Sequence, residues 1–529
     1  MLLQGGIAAK LARAGTEVAS VKVRSVGWIP ALPSVWMPGA LLAVVAAVVG
    51  VYLPVLRHSY FFADDFVPLG DIAKQSTWSY LREIFLLRDV TPNWRVLPGL
   101  YYLVLFKAFG LNETAFLLGS VLAQAATAGL IFWLVWRVVH RVWPATLAGL
   151  LFGINAAHVP TVAYITAFTH VLGGLLVVLA VVLLYEGLER QQLSVLVSVS
   201  VIAFGGAIAA NESVAVVAPV FGLLAFWKTS TADGWRCQCT RAAWLSLPYV
   251  LLGASALATF SACRCTDAPE LMGFGNHIIG NTWIFLGRLL YPIGMEFPPG
   301  RVDTSHLVAG IVLAVLTAVA LLRGPGLARI SAVFLILALV PYLPMDWVVA
   351  PRHVYLASIP FAIMMTLLAV DLTELAGRLA PALAAALVVV AFGAVGLLGW
   401  QTVEQNRPLD ADSNDWRTLV DGLQERYPDV PDGSLVYVRG GPLTSTFWQP
   451  YVLPALAEVL WGDVELSTVP ESTVAFCSRT GHETYVVDFD DGRFTPVDLR
   501  DASALARSST GGTPRASLVE CSLEQVLPP

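Results

Sequence analysis

Two adjacent carboxylates, Asp64 and Asp65, stand inside the aromatic stretch Phe61-Phe62-Ala63-Asp64-Asp65-Phe66, directly after an apolar run. Such a pair can act as a general base, as a divalent-metal ligand, or as one of each. Each ionised carboxylate raises the other's pKa, which suits a base. The plainer reading is an acidic cap at a helix start, set among interfacial aromatics. Arg95, in Asn93-Trp94-Arg95-Val96-Leu97-Pro98, opens an aromatic-rich helix and could grip a phosphate or pair with the acids. A snorkelling interfacial arginine is the alternative. His158 closes one apolar run and His170 opens the next; either could bind metal or position an acid, or be a hydrogen-bonded structural residue. Their separation is too large for a helical metal pair. Asn211-Glu212-Ser213 places a charge in an otherwise apolar hairpin, and burying Glu212 alone would cost several kcal/mol, so a partner is implied. Arg352-His353-Val354-Tyr355 precedes another apolar run; Arg352 could neutralise a lipid phosphate, or with Tyr355 serve as an interfacial anchor.

The elements that must position these groups are membrane spans. The chain has 529 residues, 56% hydrophobic and 13% charged, with mean hydropathy +0.68. A soluble protein carries roughly twice that charged fraction, so the surplus apolar sequence must face lipid. The net charge of -6 and the lack of a basic stripe exclude nucleic acid as a partner. Six cysteines are too few for a disulfide scaffold and lack the CxxC pairs of a zinc site.

Spans are expected near 36–56, 114–136, 143–156, 168–186, 192–209, 213–227, 243–261, 305–322, 330–347, 355–370 and 379–400. The runs 98–109 and 279–294, interrupted by charge or proline and rich in aromatics, are expected to be interfacial helices. Lys10, Arg13, Lys22 and Arg24 precede the first span, which is too long for a cleaved signal and places residues 1–34 in the cytoplasm. The inner loops then carry Arg137, Arg141, Arg190, Lys228, Arg323 and Arg378, whereas the short outer loops near 157–167 and 210–212 hold no Lys or Arg. That asymmetry is the positive-inside rule. On this topology the acid pair, Arg95, both histidines, Asn211, Glu212 and Arg352 all fall on the outer side. One outer-facing site is the economical reading.

The expected division is a cytoplasmic segment 1–34, a transmembrane domain 35–400 with a large first outer loop 57–113, and a polar unit 401–529 outside the membrane. The last is a small α/β appendage: helical spacing over Trp416–Tyr427 and Tyr451–Leu460, strands at Ser434–Arg439, Val464–Val469 and Tyr485–Phe489, and a turn at Asp491-Gly492. Cys477 and Cys521 would lie in an oxidising compartment, where a disulfide between them fits.

Together these blocks resemble membrane glycosyltransferases of the GT-C class, in particular the dolichyl-phosphate-mannose-dependent O-mannosyltransferases with tetratricopeptide tails. The acid pair matches in place. Trp94-Arg95-Val96-Leu97 leading to Phe109-Gly110-Leu111-Asn112 is similar to an aromatic-Arg-Pro-Leu element followed by Gly-Leu-Asn. Phe152-Gly153-Ile154-Asn155-Ala156-Ala157-His158 is similar to Phe-x-x-His-Pro-x-His, with Glu212 where a Lys-Glu pair is usual, and Arg352-His353-Val354-Tyr355-Leu356 to Glu-Arg-Tyr-x-Tyr-Leu. The chain departs at Asn155, Pro160, Asn211 and Pro351, and residues 401–529 replace the repeat tail. The pattern is nearer to bacterial relatives than to the eukaryotic enzymes.

The resemblance implies a mainly α, polytopic GT-C-type fold in a plasma membrane. It implies a polyprenyl-phosphate-linked sugar donor and an acceptor hydroxyl on protein, glycan or lipid. Asp64 would be the base; Asp65 would orient the acceptor, stabilise the oxocarbenium-like centre or hold a divalent cation, Mg or Mn. Arg352, with Arg95 and Tyr355, would meet the donor phosphate and lipid head; His158, His170, Glu212 and Asn211 would contact sugar or acceptor, or structure the site. From other classes, a flippase for a lipid-linked sugar and a non-catalytic lipid-binding scaffold remain as alternatives; mid-membrane charges and inverted repeats would favour the flippase, and neither is evident.

Overall fold

In the computed structural model the described residues are 34–86, 95–190, 193–229, 234–263, 273–292, 298–346, 349–440, 449–469, 475–478, 483–490, 493–497 and 517–520. The basic N-terminal segment, Asn93, Trp94, Cys521 and the Asp491-Gly492 tip lie outside them, and with them the expected Cys477–Cys521 pairing.

The protein is mainly α and membrane-embedded. Eight helical segments are long and apolar enough to cross a bilayer. They contain α1 (Met37–His58), α5 (Glu113–Val139), α6 with α7 (Val142–Gly153 and Val159–Ala163), α8 (Phe168–Glu189), α11 (Trp235–Cys263), α13 (Thr304–Arg323), α15 (Tyr355–Leu379) and α16 (Pro381–Arg426). Between them lie α2 (Phe66–Lys74), α3 (Thr77–Leu86), α4 (Val96–Phe109), α9 (Leu193–Ala210), α10 (Ala218–Lys228), α12 (His277–Leu290) and α14 (Gly326–Leu339). Each of the eleven expected spans is therefore a helix, but those at 192–209, 213–227 and 330–347 are shorter than a full crossing. The two expected interfacial helices are α4 and α12.

Local chemistry sets the ends. Pro38 and Pro381 start α1 and α16 at positions where a missing N–H is tolerated. The Asn112 side chain accepts the Ala115 N–H at 3.3 Å to cap α5, and Asp303 caps α13 by accepting from His306 N–H at 2.7 Å. Small residues let the bundle close: a Cβ on Gly149 of α6 would lie 3.0 Å from the Val44 side chain and 3.1 Å from the Ala128 carbonyl oxygen. Leu42, Val195, Ile202, Val312, Val389 and Val390 point outward, the apolar surface expected against lipid.

One end of the bundle is tied by ion pairs of the residues expected to face the cytoplasm. Arg137 and Arg190 share Glu186 at 2.6 and 2.8 Å, Arg141 meets Glu374 at 2.9 Å, and Lys228 pairs with Glu189.

Helix α16 passes through residues 400 and 401 without a break. Its 46 residues extend about 70 Å, more than twice a bilayer core, so its second half projects beyond the membrane. It leads into β1 (Leu435–Gly440), α17 (Gln449–Leu460), β2 (Glu465–Val469), β3 (Ala475–Ser478), β4 (Thr484–Asp490), β5 (Arg493–Val497) and β6 (Ser517–Glu520). One sheet has the order β2-β1-β4-β5, with β1 parallel to both neighbours and β5 antiparallel to β4; β3 and β6 form a separate parallel pair. The expected strands and helices of this unit are all present. The β3–β6 pair is not in the sequence reading, because two four-residue segments this far apart show no period of their own.

Candidate active site

The acid pair sits on a tight turn, Ala63–Asp65, between α1 and α2. Phe62 is extended, and Ala63 has φ +44°, a left-handed conformation that costs an alanine about 1–2 kcal/mol. Asp65 holds the turn closed. Its N–H donates to the Phe62 carbonyl at 2.9 Å, and its Oδ2 accepts the Phe62 N–H at 3.0 Å. Its Oδ1 accepts the Thr166 N–H at 2.7 Å, which ties the turn to the segment joining α7 and α8. Asp65 is wholly buried, whereas Asp64 is partly exposed. Burial first, then the neighbouring Asp64 charge, push Asp65 up to about 8, against the two N–H groups it accepts from. Near neutral pH Asp65 thus holds a proton.

From Thr166 the site continues into the bundle. Tyr102 of α4 donates its hydroxyl to the Ile165 carbonyl at 3.0 Å. One turn further, His170 Nδ1 accepts from Asn211 Nδ2 at 2.9 Å. Asn211 Oδ1 caps the next turn by accepting from Ser213 N–H and Oγ–H, and Ser213 Oγ lies 2.6 Å from the Tyr342 hydroxyl. Tyr342 stacks on His353 with centroids 4.8 Å apart, and His353 lies 6.5 Å from His170. Arg95 supplies the partner that Glu212 requires, through Nε and Nη2 at 3.3 Å each.

This constellation is cationic. Arg95 and Arg352 both act electrostatically on His170, and Arg95, Arg288 and Arg352 all act on His353. Glu212 is the carboxylate paired within the cluster. The Arg352 guanidinium, partly exposed, makes no ion pair or side-chain hydrogen bond among the described residues. Arg288 is buried and donates to the Val349 carbonyl at 3.0 Å.

The tertiary structure therefore brings Arg95, His170, Asn211, Glu212 and Arg352 into one cluster, joined to Asp64 and Asp65 through the Thr166 segment. His158 and Tyr355 form a second, enclosed network. His158 contacts Gln124 Nε2 at 2.9 Å and Ser358 Oγ at 2.7 Å, and Tyr355 donates its hydroxyl to Gln124 Oε1 at 2.5 Å. Both are buried, with their rings tilted against each other at 4.7 Å, where they lock α5, the turn Ala156–His158 and α15. Sequence reasoning did not single out Arg288, Tyr342, Tyr102 or Thr166 as site residues. The one available signal was the charge interrupting the apolar run 279–294, which is Arg288.

A divalent cation finds little protein-built support here. No group of three or more His, Cys, Asp and Glu is gathered among the described residues. Both oxygens of Asp65 already accept backbone N–H groups, and Asp64 is the partly exposed acid of the pair.

No family model matches the chain, and no curated protein sequence matches it. Solved structures do. An Archaeoglobus fulgidus oligosaccharyltransferase tethered to an acceptor peptide is 12% identical with TM-score 0.46, covering 82% of this chain and 64% of that one. Its apo form is 10% identical with TM-score 0.44 over the same shares. ArnT from Cupriavidus metallidurans, bound to undecaprenyl phosphate, is 13% identical with TM-score 0.38, covering 92% of this chain and 97% of that one. This chain thus spans about 64% of the length of the oligosaccharyltransferase it resembles.

Proposed function

We propose that the chain is a GT-C-type glycosyltransferase that moves a sugar from a polyprenyl-phosphate donor to an acceptor hydroxyl at the outer face of the plasma membrane, with inversion. The observation that carries this reading is the pairing of one partly exposed acid, presented on a strained turn, with a neighbouring cluster of three arginines. A lipid-linked phosphosugar needs both: a base for the acceptor and cations for the phosphate.

In this mechanism the acceptor oxygen attacks the anomeric carbon while Asp64 takes the hydroxyl proton. The bond from that carbon to the phosphate oxygen breaks, and its electron pair stays on the phosphate. The growing negative charge is met by Arg352, with Arg95 held in place by Glu212 and the buried Arg288 adding positive charge behind them. Asp65, protonated and buried, keeps the turn shut. His170, partly exposed, would meet the sugar or acceptor, and His353, buried against Tyr342, supports it from behind. The acceptor is a protein, glycan or lipid hydroxyl, and no step is routed through a metal.

The test is transfer of radiolabelled sugar from polyprenyl-phosphate donors by purified protein. Asp64→Asn should lower turnover by about 10²–10⁴-fold with donor binding kept. Arg352→Gln should instead weaken polyprenyl-phosphate binding by about tenfold or more, with an unchanged melting temperature. Donor binding without turnover in any acceptor pool would favour the scaffold, and movement of the intact donor between leaflets would favour the flippase.

A further inference from the structure

The turn that presents Asp64 is not self-supporting. Three residues with a left-handed alanine among them need outside contacts to hold their shape. One set comes from the segment joining α7 and α8, through the Thr166 N–H on Asp65 and the Tyr164 ring 5.6 Å from Phe62; a second set comes from the far end of the chain. Trp416, on the projecting half of α16, is almost fully buried. Its ring lies 6.3 Å from Phe62 and 5.5 Å from Phe66, the two aromatics that bracket the acids. Its neighbour Arg417 donates to the Ser59 carbonyl at 3.3 Å and to Glu113 Oε1 at 3.0 Å, and its guanidinium lies 5.1 Å from the centre of the Tyr60 ring. The segment leaving α1 and the first residue of α2 are thus both gripped from α16. Below them α17 lies flat on α2: a Cβ on Gly70 would fall 2.7 Å from the Ala455 Cα.

We propose that the C-terminal unit is the positioning element of the acid turn, with Trp416 as its positioning residue. Trp416 touches neither the acids' reacting atoms nor the arginine cluster. It fills the space that Phe62 and Phe66 would otherwise close by moving together, and so fixes the direction in which Asp64 points. The arginines are carried by other elements, namely the residue before α4, helix α12 and the turn Pro351–Val354 before α15. Loss of Trp416 should therefore disturb the acid half of the site and spare the phosphate half. The catalytic side of this inference rests on the glycosyl-transfer reading; the mechanical side does not.

The experiment uses the full-length protein in lipid nanodiscs and compares wild type, Trp416→Ala and Trp416→Phe. Hydrogen exchange in peptides covering 60–74 should rise by about tenfold in Trp416→Ala, while peptides covering 170–180 and 352–360 keep wild-type protection. Trp416→Phe, which keeps an aromatic in the gap, should restore most of the protection. In the transfer assay Trp416→Ala should lower kcat by about 10²-fold with donor KM little changed, since misplacement of about 1 Å carries such a penalty. Unchanged exchange at 60–74 would overturn the proposal, as would loss of protection throughout the membrane domain in both variants, which marks a merely structural residue. The expected exchange pattern in a wild type that transfers no sugar would leave the clamp standing and refute the enzymatic reading.

Discussion

Asp65 shows how one buried side chain can serve two ends. One oxygen closes the turn and the other ties it to Thr166, and its burial retains a proton whose loss would add a second negative charge beside Asp64. A consequence is a defined pH dependence of stability. The folded chain keeps the Asp65 proton up to about pH 8, whereas the unfolded chain releases it near the ordinary value of 3.8. Between these limits the folded state binds more protons, so this residue's contribution to stability falls as pH rises and levels off above the folded pKa. Melting curves of wild type and Asp65→Asn between about pH 5 and about pH 9 check this: wild type should lose stability across the range, and the variant should lack that component of the slope. The acid pair, Arg95 and Arg352 are legible as residues because charge in an apolar sequence has few innocent explanations. Arg288 is less so, because a single arginine in an amphipathic helix reads as a surface anchor until its neighbours are known. Conversely His158 and Tyr355 carry the same local signal as site residues, yet their hydrogen bonds to Gln124 turn them inward.

At the scale of elements, helix positions follow from apolar run length, and capping residues set many of the ends. Helix partners do not, since every lipid-facing or core-facing stripe is apolar in the same way. Contacts such as α17 on α2 depend on one small residue. Gly70→Ala would push a methyl into the Ala455 backbone and should destabilise by about 1–3 kcal/mol. Gly393→Ala on α16, where a Cβ would meet nothing within 4 Å, should instead be neutral or stabilise by up to about 1 kcal/mol. Comparing the two melting temperatures tests whether the appendage is docked or merely tethered. A break in periodicity is also a weak guide to domain limits. The composition shift near residue 400 is real, but one helix runs through it, because charged residues sustain a helix as well as apolar ones do once it has left the lipid.

Over the whole molecule, the separation of charges between the two ends of the bundle is the dominant pattern. Paired arginines and glutamates occupy one end, and the acid turn with its arginine cluster lies away from them. The positive-inside reading assigns the first end to the cytoplasm. Cys237, exposed at the start of α11, provides a native probe of it. In sealed right-side-out vesicles a membrane-impermeant maleimide should leave Cys237 unlabelled until the membrane is permeabilised, with labelling read by peptide mass. Labelling from outside would invert the topology and place the proposed site in the cytoplasm, where a lipid-linked sugar would have to be presented on the opposite leaflet.

By itself the sequence determined that this is a many-helix membrane protein with a small α/β appendage, and it named most of the charged residues of the candidate site. It could do so because lipid imposes a one-dimensional rule: apolar length makes a span, and an unmasked charge must find a partner. Only the tertiary structure decided which charges meet. Arg95 and Glu212 are 117 residues apart, Asp65 and Thr166 are 101 apart, and Trp416 reaches Phe62 from the opposite end of the chain. Those meetings depend on side-chain packing between helices whose apolar faces are interchangeable in sequence, so no period or spacing along the chain encodes them.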